Sequence, residues 1–138
     1  MKKIFFMCVV SFFFFSCEKE AGEGGTSVVE GQIWELFTFQ NPTTGDWDTT
    51  FYRLDPGKDV YIIYSDDQNQ VYDDKFETDY NGKYRFEFLR KGDYTVYTYA
   101  DSTDVNMVEY DFPIFKKISI TSNNSTVLVD DFIIEKNQ

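Results

Sequence analysis

The chain contains no histidine, and that absence alone removes much chemistry. A Ser-His-Asp triad, a Cys-His pair, an imidazole base and a histidine metal ligand are all excluded. Cysteine is nearly as scarce, with Cys8 and Cys17 the only two, so no disulfide framework holds the fold. Basic residues are few: 13 Lys+Arg stand against 24 Asp+Glu, a net charge of −11. Such a polyanion has no basic stripe for nucleic acid, and nucleic-acid binding is excluded. The longest apolar run, residues 4–15, is well short of the roughly 20 residues that cross a bilayer as a helix. Proline is confined to Pro42, Pro56 and Pro113, all expected outside strand centres.

What remains is aromatic and addressed. The 138 residues suit one domain, and 15 Phe and 10 Tyr supply its packing volume. Met1-Lys2-Lys3, the apolar run and Ser16 read as a secretory signal. Phe14-Phe15-Ser16-Cys17 resembles the lipobox of bacterial lipoproteins, in a Phe-rich form similar to that of Bacteroidota. That resemblance implies cleavage after residue 16 and acylation of Cys17, which gives a lone cysteine in an oxidising compartment a purpose. Loss of residues 1–16 takes away Lys2 and Lys3 and no acid, leaving 11 basic against 24 acidic residues and a charge of −13. Two or three acyl chains hold a protein on a membrane without spanning it. The expected location is the bacterial outer membrane, lipid-anchored and facing the periplasm or the cell surface. Residues 17–26, rich in Gly and Glu, are expected to form the lipidated Cys and a flexible tether that lifts the body roughly 15–20 Å off the bilayer. Glu18-Lys19-Glu20 also loosely resembles a surface-export signal of such lipoproteins.

Residues 27–138 read as an all-β domain. Short β-branched and aromatic runs at 28–39, 59–64, 71–78, 83–89, 94–99, 115–121 and 126–134 alternate with Gly, Pro, Asn and Asp clusters. The expectation is an antiparallel β-sandwich of about seven strands, immunoglobulin-like in architecture. Lys83-Tyr84-Arg85-Phe86-Glu87-Phe88 alternates aromatic with charged residues, so one face enters a core. Asn81-Gly82 before it and Lys91-Gly92-Asp93 after it are turn signals, implying two successive hairpins over residues 71–99. The long segment 40–59 reads as an excursion with a short strand at 50–54. The expected core comprises Ile33, Val60, Ile62, Phe76, Tyr84, Phe86, Leu89, Tyr94, Val96, Ile118, Ile120, Val127, Val129 and Ile133.

Thr78-Asp79-Tyr80-Asn81-Gly82-Lys83-Tyr84-Arg85-Phe86, followed by Leu89, Gly92, Tyr94 and Val96, resembles the signature of carboxypeptidase regulatory-like domains. Glu30-Gly31-Gln32-Ile33 is similar to the opening strand of that family and Asp59-Val60-Tyr61-Ile62 to its second. The resemblance implies a seven-stranded prealbumin-like, or transthyretin-like, sandwich and a noncatalytic module with no shared active site. No catalytic residue and no cofactor follow from it.

Candidate site residues fall into three groups. Trp47, Tyr52, Tyr72 and Tyr80 lie at expected loop ends, where aromatic rings stack on sugars or anchor a protein partner. Asp73, Asp74 and Asp79 are weak Ca²⁺ candidates of a calcium-stabilised adhesion module, although the EF-hand template fails for lack of its remaining acids. A carboxylate pair running glycoside hydrolysis is the enzymatic alternative. Asp48-Thr49-Thr50 and Asp101-Ser102-Thr103 resemble the O-glycosylation site of Bacteroidota, and Asn124-Ser125-Thr126 fits the N-glycosylation pattern. The function expected is a membrane-anchored, noncatalytic binding or structural module for a protein or glycan.

Overall fold

The computed structural model describes residues 20–103 and 108–137; the leader 1–16 and Cys17 lie outside them. Among the described residues nine strands form two sheets packed face to face. They are β1 (Glu23–Gln40), β2 (Trp47–Leu54), β3 (Asp59–Ile63), β4 (Asp74–Glu77), β5 (Lys83–Leu89), β6 (Gly92–Thr103), β7 (Glu109–Ile120), β8 (Thr126–Leu128) and β9 (Phe132–Asn137). Among the described residues no helix is long and apolar enough to cross a membrane. The all-β sandwich expected from the strand spacing is the architecture found.

β1 is the spine. Its first half pairs antiparallel with β5 and parallel with β8; its second half pairs antiparallel with β2 and parallel with β9. Ile33 shows how two partners share one edge. Its N–H donates to the Gly82 carbonyl (2.8 Å), and its carbonyl accepts from Asp55 N–H (3.2 Å). Both groups of one strand residue point to the same side, so β5 and β2 lie end to end along one edge of β1. The second sheet runs β4-β3-β6-β7, antiparallel throughout.

Several expectations are corrected here. The pairing is mixed, since β8 and β9 run parallel to β1. The segment 126–134 is two strands, because three residues separate Leu128 from Phe132 where two separate Glu30 from Ile33. That one extra residue flips the parity: Phe132 and Ile134 enter the core and Ile133 turns outward. The two turns around β5 do not close hairpins either. β4 and β6 belong to the second sheet and β5 to the first, so both turns are arches between the layers. Gly82 (φ +62°) makes the sharp corner that the first arch needs. Phe76 stays partly exposed at the edge of the sandwich, its ring edge-on to Phe86 at 6.2 Å. Pro113 sits inside β7, tolerated because β7 is an edge strand with one unpaired side.

The amino-terminal segment is part of the body. Gly22 N–H donates to the Tyr94 hydroxyl (2.9 Å), which donates in turn to the Arg90 carbonyl (2.8 Å). Arg90 N–H closes the loop on the Gly22 carbonyl (2.9 Å), and Ala21 packs against Gly92. Of the expected 17–26 tether, residues from Ala21 onward are therefore docked, through a buried Tyr94 that the sequence marked only as core.

The core joins Val29, Ile33, Tyr84, Phe86, Leu89, Phe132 and Ile134 of the first sheet to Val60, Ile62, Tyr94, Val96 and Ile120 of the second. Tyr84 crosses over Gly31, its register partner, and is 1 % exposed. A Cβ on Gly31 would overlap the Tyr84 hydroxyl and lie 2.7 Å from its Cζ. Among the described residues the hydroxyl has no hydrogen-bond partner, a cost the fold bears for the ring's volume. At the far end of β1 the inward Glu35 is buried and bound by Arg53 (Nε to Oε2, 2.9 Å). Burial first, and then the Glu35 charge, holds Asp55 above its ordinary carboxylate value, while Lys58, Lys136 and Arg53 pull the other way.

Two predictions follow from these contacts. Gly31→Ala lowers unfolding stability by about 1–3 kcal/mol through overpacking, Tyr84→Phe is neutral or stabilising, and the double variant recovers part of the Gly31→Ala loss. Urea denaturation of the three variants measures this. For Asp55, a raised folded-state pKa means that its contribution is fully present below the ordinary value of 3.8 and is lost as pH rises through the folded value. Asp55→Asn therefore raises Tm by a few degrees at pH 7 and gives no gain at pH 3, as read by calorimetry.

Candidate functional site: a tyrosine face

The two faces of the second sheet differ in chemistry. Val60, Ile62, Tyr94 and Val96 point inward, so the alternate residues of β3 and β6 must point out. Those outward residues are Asp59 and Tyr61 on β3 and Tyr97 and Tyr99 on β6. The register sets Lys75, Tyr61, Tyr97 and Phe115 in one row across all four strands, with Tyr99 opposite Pro113 in the next. Tyr72 comes in from the β3–β4 loop.

The rings are in mutual contact. Tyr61 and Tyr97 stack at 4.9 Å with 16° between planes, the cross-strand spacing of neighbouring residues. Tyr99 stands edge-on to both, at 5.8 Å from Tyr61 and 5.7 Å from Tyr97. Phe115 lies 5.1 Å from Tyr97 and Tyr72 lies 4.8 Å from Tyr61. Tyr97, 7 % exposed, is the floor; Tyr72 (45 %) and Tyr99 (38 %) are the rings open to a ligand. Contacts of this kind hold aromatic side chains at low entropy cost, which preorganises the face.

Polar groups border the rings. The Tyr61 hydroxyl donates to Asp59 Oδ2 (3.3 Å), and Lys75 Nζ donates to the same oxygen (3.1 Å). Burial and then the Asp59 charge raise the Tyr61 pKa. Burial pushes Tyr97 up to about 12, with Tyr99 and Tyr61 adding to it. These two phenols stay protonated at neutral pH and keep their hydrogen-bonding capacity. The face offers ring surface and hydroxyl groups together, the combination that sugars require.

Of the residues singled out from sequence, only Tyr72 joins this face. Trp47 and Tyr52 are both exposed on β2 in the other sheet, and Tyr80 is exposed on the β4–β5 turn. The expected four-residue set is thus three separate locations. Tyr61, Tyr97, Tyr99 and Phe115 were missed, although Tyr94-Thr95-Val96-Tyr97-Thr98-Tyr99 carries a signal: its tyrosines fall on both parities, so one face cannot hold them all.

The acidic candidates serve turns. Asp73 Oδ2 accepts from Tyr64 N–H (2.7 Å), and Asp74 Oδ1 from Lys75 N–H (2.7 Å). Asp79 Oδ1 accepts from Asn81 N–H (2.8 Å) and Lys83 N–H (3.0 Å), stabilising the arch into β5. Among the described residues no three Cys, Asp or Glu side chains converge as a metal site. Of the neighbouring carboxylates Glu35 and Asp55, the buried Glu35 is bound by Arg53. For the glycosylation patterns, the Thr49, Thr50 and Thr103 side chains lie outside the described ones.

No family model matches the chain, and no curated protein matches it. Among solved structures it is similar to a candidate carbohydrate-binding protein from Pseudomonas aeruginosa, with 13 % identity over 80 % of this chain and 91 % of that one, at a TM-score of 0.47.

Proposed function

We propose that this chain is a membrane-anchored, noncatalytic lipoprotein of the bacterial envelope, held on the outer membrane through Cys17, and that its tyrosine face binds a neutral glycan. The observation that carries the binding half is the contiguous set Tyr72, Tyr61, Tyr97, Tyr99 and Phe115 on a solvent-facing sheet surface. Monomeric proteins seldom leave such a patch without a use. Phenol rings stack on the C–H faces of sugars, and their hydroxyls exchange hydrogen bonds with sugar hydroxyls. The neutral class follows from charge: the mature body carries −13, and Asp59 sits within the face. An acidic polysaccharide meets repulsion there. The anchoring half rests on the lipobox resemblance at residues 14–17 and on Cys17 being the one cysteine left in the sequence once residues 1–16 are removed.

Affinity electrophoresis through gels carrying neutral polysaccharides tests the binding. Retardation by at least one of them is expected, and Tyr72→Ala and Tyr99→Ala each weaken it roughly tenfold. Trp47→Ala, in the other sheet, leaves it unchanged. A wild-type chain that migrates freely through every neutral gel refutes the glycan reading. Palmitate labelling tests the anchor separately, and Cys17→Ser abolishes the label.

A further inference from the structure

Phe88 breaks the pattern of its own strand. Tyr84 and Phe86 point inward from β5, and the alternation would send Phe88 after them. Instead Phe88 adopts φ +59°, Leu89 takes the buried place, and Phe88 is left 67 % exposed. The register with β1 slips at the same point, with Glu23 and Ser27 both opposite Leu89. A bulky side chain in the left-handed region is a strained outlier, and bulges of this kind usually employ glycine. The fold keeps a large apolar ring in water at a position where a smaller residue would fit the backbone better.

The location gives that ring an occupant to meet. Phe88 shares a surface hollow with Glu23 and Gly24, where the chain enters the sandwich. Because Ala21 and Gly22 are clamped by Gly92, Tyr94 and Arg90, only Glu18-Lys19-Glu20 separate Cys17 from the docked body. Four Cα–Cα steps reach at most about 14 Å. Tyr64 packs on Gly22 and leads into the loop carrying Val71, a second apolar side chain 82 % exposed.

We infer that this pole of the sandwich is a membrane-contact surface, with Phe88 held outward to enter the lipid interface beside the acylated Cys17. The inference rests on the lipoprotein reading and replaces the expected long tether by a body seated on its bilayer. Aromatic side chains are suited to the interface region, where an apolar ring gains from lipid contact. The acids nearby, Glu23 and Glu87, are offset by Arg90 and Lys91 on the adjoining turn, so charge alone gives the unlipidated pole little net attraction to anionic headgroups. Contact therefore depends on the acyl chains bringing Phe88 within reach.

Nitroxide labelling tests it on the lipidated chain in phosphatidylcholine vesicles. With Cys8 removed and Cys17 acylated, Phe88→Cys supplies a unique free thiol, and Tyr80→Cys is the reference on the turn beside Ile33, beyond Gly82, which is itself roughly 20 Å along β5 from Phe88. A label at 88 shielded at least fivefold from a water-soluble nickel relaxant relative to one at 80 is the expected result, with the difference vanishing in a chain bearing Cys17→Ser. Equal accessibility at 88 and 80 in a chain that sediments with vesicles overturns membrane contact alone. A chain that neither takes up palmitate nor sediments overturns the anchor and this inference together. Phe88→Gly is expected to keep or raise Tm by relieving the backbone; a fall of several degrees would mean the ring serves the fold, and would overturn the assignment.

Discussion

The ladder of β1 is the constraint on which the rest of the structure depends. A strand has two edges, and here both are filled along most of its length: β5 then β2 on one side, β8 then β9 on the other. Four strands, three of them distant in sequence, are fixed by the backbone groups of one. Its alternation decides which side chains reach the second sheet. Ser27, Val29, Ile33, Glu35 and Phe37 are buried on one parity, and the intervening residues are partly exposed on the other. A one-residue slip of β1 would bury Glu30, Gln32 and Trp34 in place of Val29 and Ile33, so the register is enforced by burial as well as by hydrogen bonds.

The close approach of the layers has a local cost that follows from this geometry. β5 must place two aromatic rings under β1, and the larger reach of Tyr84 is accommodated only because Gly31 has no side chain. The hydroxyl is then trapped without a partner among the described residues. Phenylalanine would avoid that penalty and keep the ring that fills the space beside Phe132, 6.1 Å away, whereas a small side chain would leave that space empty. Packing outweighs one unmade hydrogen bond here because a cavity of ring size costs more, about 3–5 kcal/mol against about 1–3.

How much of this was legible depended on the range of the interaction. β5 was read to its exact ends because turn residues bound it and its alternation is local. The same turn residues said nothing about which sheet the next strand would join, since Gly82 fixes a corner and not the destination beyond it. Val127 and Val129 were assigned to the core and Ile133 with them, but the extra residue among 129–131 reverses the parity, and only pairing with β1 exposes the slip. The tyrosine face failed to appear for the same reason. Tyr61, Tyr97 and Phe115 are 18 or more residues apart and become neighbours through register alone, whereas Tyr72 was noticed because it lies in a loop-like context.

The proposed seating on the amino-terminal pole would also fix where the tyrosine face works. Gly92 lies at that pole against Ala21, and β6 climbs away from it. At about 3.3 Å per residue, Tyr97 stands roughly 16 Å and Tyr99 roughly 23 Å along the strand from Gly92. The face is lateral, since it is the outer surface of a sheet whose strands rise from the pole. A ligand there would lie beside the molecule, about midway along the rising strand, and would not be wedged between protein and bilayer. On a long flexible tether the face would sample every orientation. The proposed short link and seated pole would remove most of that freedom before any ligand arrives, which would lower the ordering cost of binding a polymer that itself runs along the surface.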